Sequence, residues 1–469
     1  MSGVRSLLNI AKSALFSNQA GVNTAGHNIA NVNTEGYSKQ DVQLYNIPGV
    51  MNKLGIPGDG VDVSGIEQRQ TKFADQRMFQ ENSRLGEWEA REKSLQQIEG
   101  LFYGVGENDL NVMMNNFFNA WEDVSNNPES PEFRTEVVQV TKDLTAKFHN
   151  MDTSFSELRS NMNEEVKAKV RRVNEILHEV FEYNDRIAQL EYNGAMANDL
   201  RDRRRLIVRE LSTMMDMQIQ ETKLGKLQIA HQGVTLVGQD DVFELSTKTE
   251  MDDGFFTTKI FGNGKEFSFK SGEIAGILDS RDIYLKEYQD SIDGLASELV
   301  QQVNKTHSFG FDLNGNLGGD FFQPGKLTAG TIEIRSDFED NLDRIAAAGG
   351  DHDWALNIHT SHGVGSNDTA LRLAELRYIK FMKNDTSTFE QVYNALYADV
   401  GFDSKEAQTN KDSTQMLVDQ IDNYREGIAN VSLDEEVTNM MNFQNSYAAA
   451  SKLVTIADDM FKTILAMTR

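Results

Sequence analysis

From Pro131 onward, apolar side chains recur every three or four residues: Phe133, Val137, Val140, Leu144, Phe148, Met151, Phe155, Leu158 and Met162. The stripe resumes with Val166, Val170, Val173, Leu177 and Val180. That spacing puts them on one face of an α-helix, and proline is at home in a helix's first turn. A helix of ~60 residues is ~90 Å long. A chain built on such a rod is elongated, because one compact core cannot enclose it.

The flanking sequence extends the helical reading over most of 66–217. One helix is predicted to run to Tyr103 and stop at Gly104-Val-Gly106, and a second to cover 109–125 before Asn126-Asn127-Pro128. Beyond Met217 the period changes to two, in LQIAH, GVTLVG and VFELST, and KIFGNGKEFSF carries a Gly262-Asn263-Gly264 turn between short strands. A small β-rich insert is expected there. It is followed by a helix over 272–308, irregular loops to about 365, and helices over 368–383 and 386–398. A final helix starts beyond Ser404, runs nearly to the end of the sequence and breaks near Ser432.

Both ends carry a heptad pattern. In the first helix (2–30) Val4, Leu8, Ala11, Leu15, Val22, Ala25 and Ile29 alternate by four and three, with Asn18 filling the gap. Near the other end Val437, Met440, Gln444, Tyr447, Ser451, Val454, Asp458, Phe461 and Leu465 keep the same alternation, and Phe443 adds to this apolar surface. After the first helix, Asn33 and Gly36 suit the first and last positions of a tight turn. The segment 37–66 reads as extended, with turns at Pro48-Gly49 and 55–60. The fold class expected is mainly α with a β-rich insert in an elongated multidomain subunit. Its N- and C-terminal helices pair in a coiled-coil-like inner domain, with a long-helix bundle next and the β-rich part outermost. The divisions are 1–65, 66–216, 217–365, 366–430 and 431–469. Such seams serve ordinary intramolecular packing or packing against neighbours. A lone two-helix pair draws most of its stability from tertiary contacts, which further helices would supply.

Composition narrows the function classes. Lys and Arg total 46 against 72 Asp and Glu, a formal net charge of −26, and such a surface repels nucleic acid and anionic lipid. The absence of cysteine removes disulfides, thiolate metal sites and Cys nucleophiles. No apolar run reaches the ~18 residues of a membrane span. The first twenty residues lack the apolar core of a secretory signal, since Asn9, Lys12, Ser13, Asn18 and Gln19 interrupt it. No catalytic residue, cofactor or metal is expected. His352, His359 and His362 lie close in sequence, but H-x-x-H alone is a weak metal signal. Asp312-Leu-Asn314-Gly-Asn316 lacks the Gly and Glu of a calcium loop, having Leu317 and Gln323 in their places, and reads as a turn. Arg201, Arg203, Arg204 and Arg205 lie beside Asp199, Asp202 and Glu210, as in surface ion pairs.

The string GHNIANVNTEGYSKQ (26–40) resembles the N-terminal signature shared by flagellar rod, hook and hook-associated proteins. It is carried here by Asn28, Ala30, Asn31, Asn33, Thr34, Gly36 and Tyr37. Gly36-Tyr37-Ser38 resembles the hook-associated version, whereas rod and hook proteins more often continue Gly-Phe. VSLDEEVTNMMNFQNSYAAASKLVTIADDMFKTILAM is similar to the tail of the same family, and NDLRDRRRLIVRELS, SGEIAGILDSRD and GSNDTALRLAEL to internal blocks of the hook-associated members. The resemblance implies a secreted axial subunit, exported unfolded by the flagellar type III apparatus. It would assemble with its own copies in a ring at the hook–filament junction, between the hook protein and the next junction protein. It also implies a cytosolic export chaperone on the C-terminal helix, at Val437, Met440, Phe443, Tyr447, Val454, Phe461 and Leu465. An outer domain is expected to be reduced to the short stretch 325–365. A rod or hook axial subunit and a cytosolic coiled-coil adaptor are the alternatives.

Overall fold

The structure, a computed structural model, describes residues 2–48, 58–102, 109–192, 194, 196–252, 254–353 and 358–467. The turn predicted at Pro48-Gly49, half of the 55–60 turn and the Gly104-Val-Gly106 stop fall wholly or partly outside them. The chain opens with α1 (Ser2–Ala30), a long antiparallel hairpin of β1 (Gln40–Pro48) and β2 (Gly58–Gln68), and α2 (Lys72–Phe102). The helix expected from residue 66 starts later because Ile66 and Gln68 are still paired with Val42 and Gln40. Next come α3 (Leu110–Asn126), capped by the Asp109 carboxylate on the Asn111 amide, and α4 (Pro131–Glu191) with Pro131 in its first turn.

The long stripe does what its period demands. Val137, Leu144, Phe148, Phe155, Val166 and Val173 are fully buried, and α4 is 61 residues long, a spine of ~90 Å. A further helix, α5 (Asn198–Met214), follows it and packs back on α2 and α4. The β-rich part is two antiparallel meanders: β3 (Gln218–Glu221), β4 (Leu227–His231) and β5 (Val234–Val237), then β6 (Leu245–Asp252), β7 (Phe255–Gly262) and β8 (Lys265–Glu266). Asn263 and Gly264 both take positive φ between β7 and β8, as an Asn-Gly hairpin turn requires.

The meanders lie along α4, held by three asparagines on one side of it. The Asn184 side chain donates to the Leu227 carbonyl at 2.8 Å and accepts from its amide at 2.9 Å. Asn174 does the same with Leu245, both at 2.8 Å. Asn163 donates to the Phe256 carbonyl at 2.6 Å and accepts from the Thr258 amide at 3.0 Å. Steps of 11 and 10 residues, each about three helical turns, keep the three within roughly 80° of one another around α4. Each side-chain amide thereby completes strand hydrogen bonds that burial would otherwise leave unmade.

The helix expected over 272–308 is present as α6 (Glu273–Asp279) and α7 (Leu285–Ser308), joined through a wider π turn at Ser280–Tyr284. The following stretch is irregular but not superficial. Phe321, Phe322, Ile332, Phe338 and Ile345 have no exposed surface. Asn304 accepts the amides of Phe321 and Phe322, and buried Arg134 donates to the carbonyls of Pro128, Leu342 and Ile345. One turn, α8 (Asp337–Asp340), and a hairpin of β9 (Gly350–Asp353) and β10 (Ile358–Ser361) punctuate it. Asp312 folds its loop as a turn, its carboxylate accepting the amides of Asn314 and Asn316 at 2.8 Å.

The return helices differ from expectation at two places. α9 (Asp368–Glu375) ends well before residue 383, because α10 (Met382–Asp385) is a single turn with Lys383, Asn384 and Asp385 at positive φ. Phe381 there packs on Phe389. α11 (Phe389–Ala429) is uninterrupted where a gap was expected at 399–404. Buried Val400, Ser404 and Ala407 pack through that stretch, outweighing the roughly 1 kcal/mol cost of Gly401 in a helix. Its start is a capping box between Thr388 and Gln391. The last helix, α12 (Leu433–Met467), follows the break at Asn430–Ser432 and lies along α1.

Candidate assembly joint

The α1–α12 pair is built on small residues. Ala11, Ser17, Gly21, Thr24, Ala25 and Asn28 are the buried positions of α1, and Glu436, Ala450 and Ala457 those of α12. A Cβ on Gly21 would lie 2.6 Å from the Phe443 ring, so the phenyl group fills the space that glycine leaves open. The seam keeps the expected Ala11 and Ala25 and otherwise runs one residue aside on α1, through Gly21, Thr24 and Asn28. Val4, Leu15, Val22 and Ile29 are half-buried and Leu8 is exposed. On α12, Met440, Phe443 and Val454 are half-buried, while Val437, Tyr447, Phe461 and Leu465 are exposed. The pair is not alone. The β1–β2 hairpin lies on α1, with the Val61 amide donating to Ser13 Oγ at 3.2 Å and Ser6 to Asp59 at the same distance.

Where α1 ends, the family-signature residues knot four parts of the chain together. Asn28, almost fully buried, makes every hydrogen bond its amide can make. Its Nδ2 donates to the Gln40 carbonyl and to Glu436 Oε2, both at 2.9 Å. Its Oδ1 accepts from the Tyr37 hydroxyl at 2.7 Å and from the Gln40 amide at 3.0 Å. One side chain thus joins α1, the signature turn, β1 and the first turn of α12. The Tyr37 phenol is pushed well above its usual range, by burial first and then by the charges of Asp199, Asp202 and Glu436, so it stays a donor.

Lys39 closes the other side. Its ammonium, 1% exposed, lies 2.9 Å from both Glu435 and Glu436. Burial works to lower its pKa, but hydrogen bonds to the two carboxylates outweigh it and hold the group above its ordinary value. Its amide donates to the Ala429 carbonyl at 2.8 Å, fastening the α11–α12 break. The Ser38 amide donates to Asp202 at 3.1 Å, and Arg205 donates to Ser38 Oγ at 2.8 Å. Burial raises the Asp202 carboxyl against the pull of Arg205.

The turn differs from the one read in the sequence. The Thr34 amide donates to the Asn31 carbonyl and the Tyr37 amide to the Thr34 carbonyl. Gly36 is therefore the third residue of its turn, at φ 74°, with the Leu206 side chain 2.6 Å from where a Cβ would stand. A left-handed backbone and a close neighbour both call for glycine. Asn31 donates its side-chain amide to the His27 carbonyl at 3.0 Å, and Ala30, Asn33 and Thr34 are exposed.

The arginine cluster is ion-paired, but much of it is interior. Arg204 is buried and donates to Asn184 and Gly225, while Arg201 forks onto Glu191 and also reaches Glu221. His352 and His359 face each other across the β9–β10 hairpin, Nδ1 to Nδ1 at 3.2 Å, and His362 lies with Asp351 and Asp368. Among the described residues no cluster of three or more His, Asp or Glu is arranged to hold a metal ion, and no helix is long and apolar enough to cross a membrane.

The comparisons with known proteins fit this architecture segment by segment. The model of the flagellar hook-associated protein FlgK helical domain matches residues 95–322. That of the flagellar basal body rod protein matches 8–37, and that of the FlgEFG rod protein C-terminal region matches 427–467. The chain is 28% identical to flagellar hook-associated protein 1 of Bacillus subtilis over 98% of its own length and 97% of the relative's. It is 23% identical to the Escherichia coli protein of the same name, over 98% and 99%. The solved flagellar hook junction protein FlgK of Burkholderia pseudomallei shares the fold at a TM-score of 0.68 and 14% identity, covering 75% of this chain and all of that one. Along nearly its whole length the chain resembles flagellar hook-associated protein 1.

Proposed function

We propose that this chain forms a ring of its own copies between the hook protein and the next junction protein, and that filament growth depends on that ring. It is a structural subunit of the bacterial flagellum, not an enzyme. The observation that carries the ring reading is the apolar surface the terminal pair leaves uncovered. Phe16 on α1 and Met441, Ile456, Met460 and Phe461 on α12 are 62%, 55%, 49%, 46% and 50% exposed. Among the described residues no further helix lies over them, whereas neighbouring copies of the same pair would supply one each. Apolar surface of this extent marks an interaction site. Electron microscopy of cells lacking the gene, with an assay for flagellin in the medium, tests the reading. Hooks without filaments and flagellin lost to the medium are expected, and normal filaments would overturn it.

The same surface explains a need for protection before export through the type III apparatus. The pair draws little stability from its small-residue seam, so its ordering is coupled to assembly. An export chaperone holding α12 as a helix in a groove would cover Val437, Met440, Phe443, Tyr447, Val454, Phe461 and Leu465. Phe461→Asp combined with Leu465→Asp is expected to abolish co-purification with that chaperone while leaving the body's thermal unfolding unchanged. Undiminished co-purification would remove α12 as the binding element.

A further inference from the structure

Between α4, the second meander and the π turn lies a half-open cavity of about 440 Å³ whose walls include Phe255, Phe267 and Phe269. Two arginines lie in its inner wall. Arg281, 2% exposed, is fully engaged: it forks onto Asp282 at 2.7 and 2.8 Å and donates to Asn163 and the Thr258 carbonyl. The π turn at Ser280–Tyr284 carries it, and such widened turns gather at functional positions.

Arg159 is different. It is 5% exposed, its guanidinium lies 4.3 Å from the centre of the Phe255 ring, and its one hydrogen bond is a long one to Gln289 at 3.3 Å. Its Nε has no hydrogen-bond partner. Among the described residues no carboxylate lies within 4.0 Å of it. The acidic groups of the cavity are committed elsewhere: Asp279 to Arg91 at 2.6 Å, Asp282 to Arg281, and Glu266 near Lys259 at 3.9 Å. Burial depresses the Arg159 pKa; the charges of Asp282 and Asp290, beyond ion-pair distance, oppose this, and that of Arg281 adds to it. A water molecule could satisfy the idle N–H but not the charge, and buried charges are paired or bound to counter-ions.

We infer that this cavity is a binding site for a carboxylate on an apolar stem, with Arg159 holding the carboxylate and the phenyl groups holding the stem. The forked guanidinium matches two carboxylate oxygens, and three phenyl walls suit carbon rather than a bare oxoanion. The carboxylate belongs either to a small organic acid or to a glutamate side chain of another protein. Isothermal titration of the full chain at constant ionic strength tests this, using butyrate, a short acetylated peptide with one central glutamate, phosphate and chloride. Saturable one-to-one binding of butyrate and peptide is expected. Equal affinities identify a free acid as the source, and a tighter peptide identifies a protein side chain. Arg159→Gln is expected to weaken binding about tenfold to a hundredfold, the worth of a hydrogen bond to a charged group. If that variant does not fold, Arg159→Lys, which keeps the charge but loses the fork, is expected to bind about tenfold more weakly. The proposal is overturned by no saturable carboxylate binding, by unchanged binding in the variant that folds, or by phosphate or chloride binding as tightly as the carboxylates.

Discussion

Asn28→Ala is expected to release the terminal helix pair from the rest of the molecule while the body stays folded. The substitution deletes four hydrogen bonds at once and leaves the buried Glu436 carboxylate, the Gln40 amide and carbonyl, and the Tyr37 hydroxyl each short of a partner. Stranding one buried polar group costs about 1–3 kcal/mol, and several are left short together here, although Glu436 keeps its ion pair with Lys39. The small-residue seam of α1 and α12 cannot absorb a loss of that size. The body loses nothing comparable, because its continuous core is built around α4 and does not include Asn28. Hydrogen exchange should show protection lost around β1 and the first turns of α12 and kept along α4. Cells carrying the variant should release flagellin and lack filaments. Unchanged exchange at the joint together with normal filaments would show that Asn28 is not what holds the pair.

What the sequence disclosed, and what it hid, follows from the kind of residue carrying each feature. The α4 spine was legible because large apolar side chains at helical spacing have no other use on that scale. The pairing of the two ends was legible for the same reason, but its register was not. Ala11 and Ala25 lie in the expected seam, but the buried Gly21, Ala450 and Ala457 do not, and small residues carry almost no hydrophobic signal. The larger neighbours Val4, Leu15 and Val22 drew the eye one residue aside, and their partial exposure is what leaves surface for other subunits. The signature string was recognised as a family mark, yet nothing in its letters says that Asn28 meets Glu436 more than four hundred positions away.

Buried polar anchors were the systematic blind spot. Asn163, Asn174 and Asn184 look like the solvated face of a long helix, although their spacing of about three turns was open to inspection. Arg204 looked like one more surface charge, while desolvation in fact brings its pKa down to about 10. The loops after α7 looked structureless because Arg134, Asn304 and His307 organise them through backbone carbonyls and amides, which leave no pattern in sequence.

His307 gives that loop region an acid limit. The ring has no exposed surface and sits among Trp121, Phe321 and Phe338. Its Nδ1 lies 2.8 Å from the Gly319 carbonyl, and its Nε2 accepts the Ala346 amide at 2.9 Å. Nε2 must therefore be unprotonated and Nδ1 must carry the hydrogen. A proton added to Nε2 would point at another N–H. Burial accordingly brings the pKa down to about 4, the nearby Arg134 and Arg335 charges acting in the same direction and the Gly319 carbonyl opposing them. The unfolded chain takes up this proton near pH 6.5, so between about 6.5 and 4 the unfolded state binds more protons than the folded one. Stability from this group is complete above that window and falls as pH drops through it, by up to about 1.4 kcal/mol per unit. Urea unfolding of the wild type should lose about 1.5–2 kcal/mol between pH 6.5 and 5 from this group alone. His307→Asn keeps one donor and one acceptor but has no proton to gain. It should be about 2–4 kcal/mol less stable at pH 7.5, from lost ring packing and broken hydrogen bonds, and should lack that part of the slope. Buried Asp75 and Asp202, whose carboxyls are raised by burial, contribute with the opposite sign in both proteins and cancel in the difference. Equal slopes in the two proteins would mean that His307 is not the group that titrates.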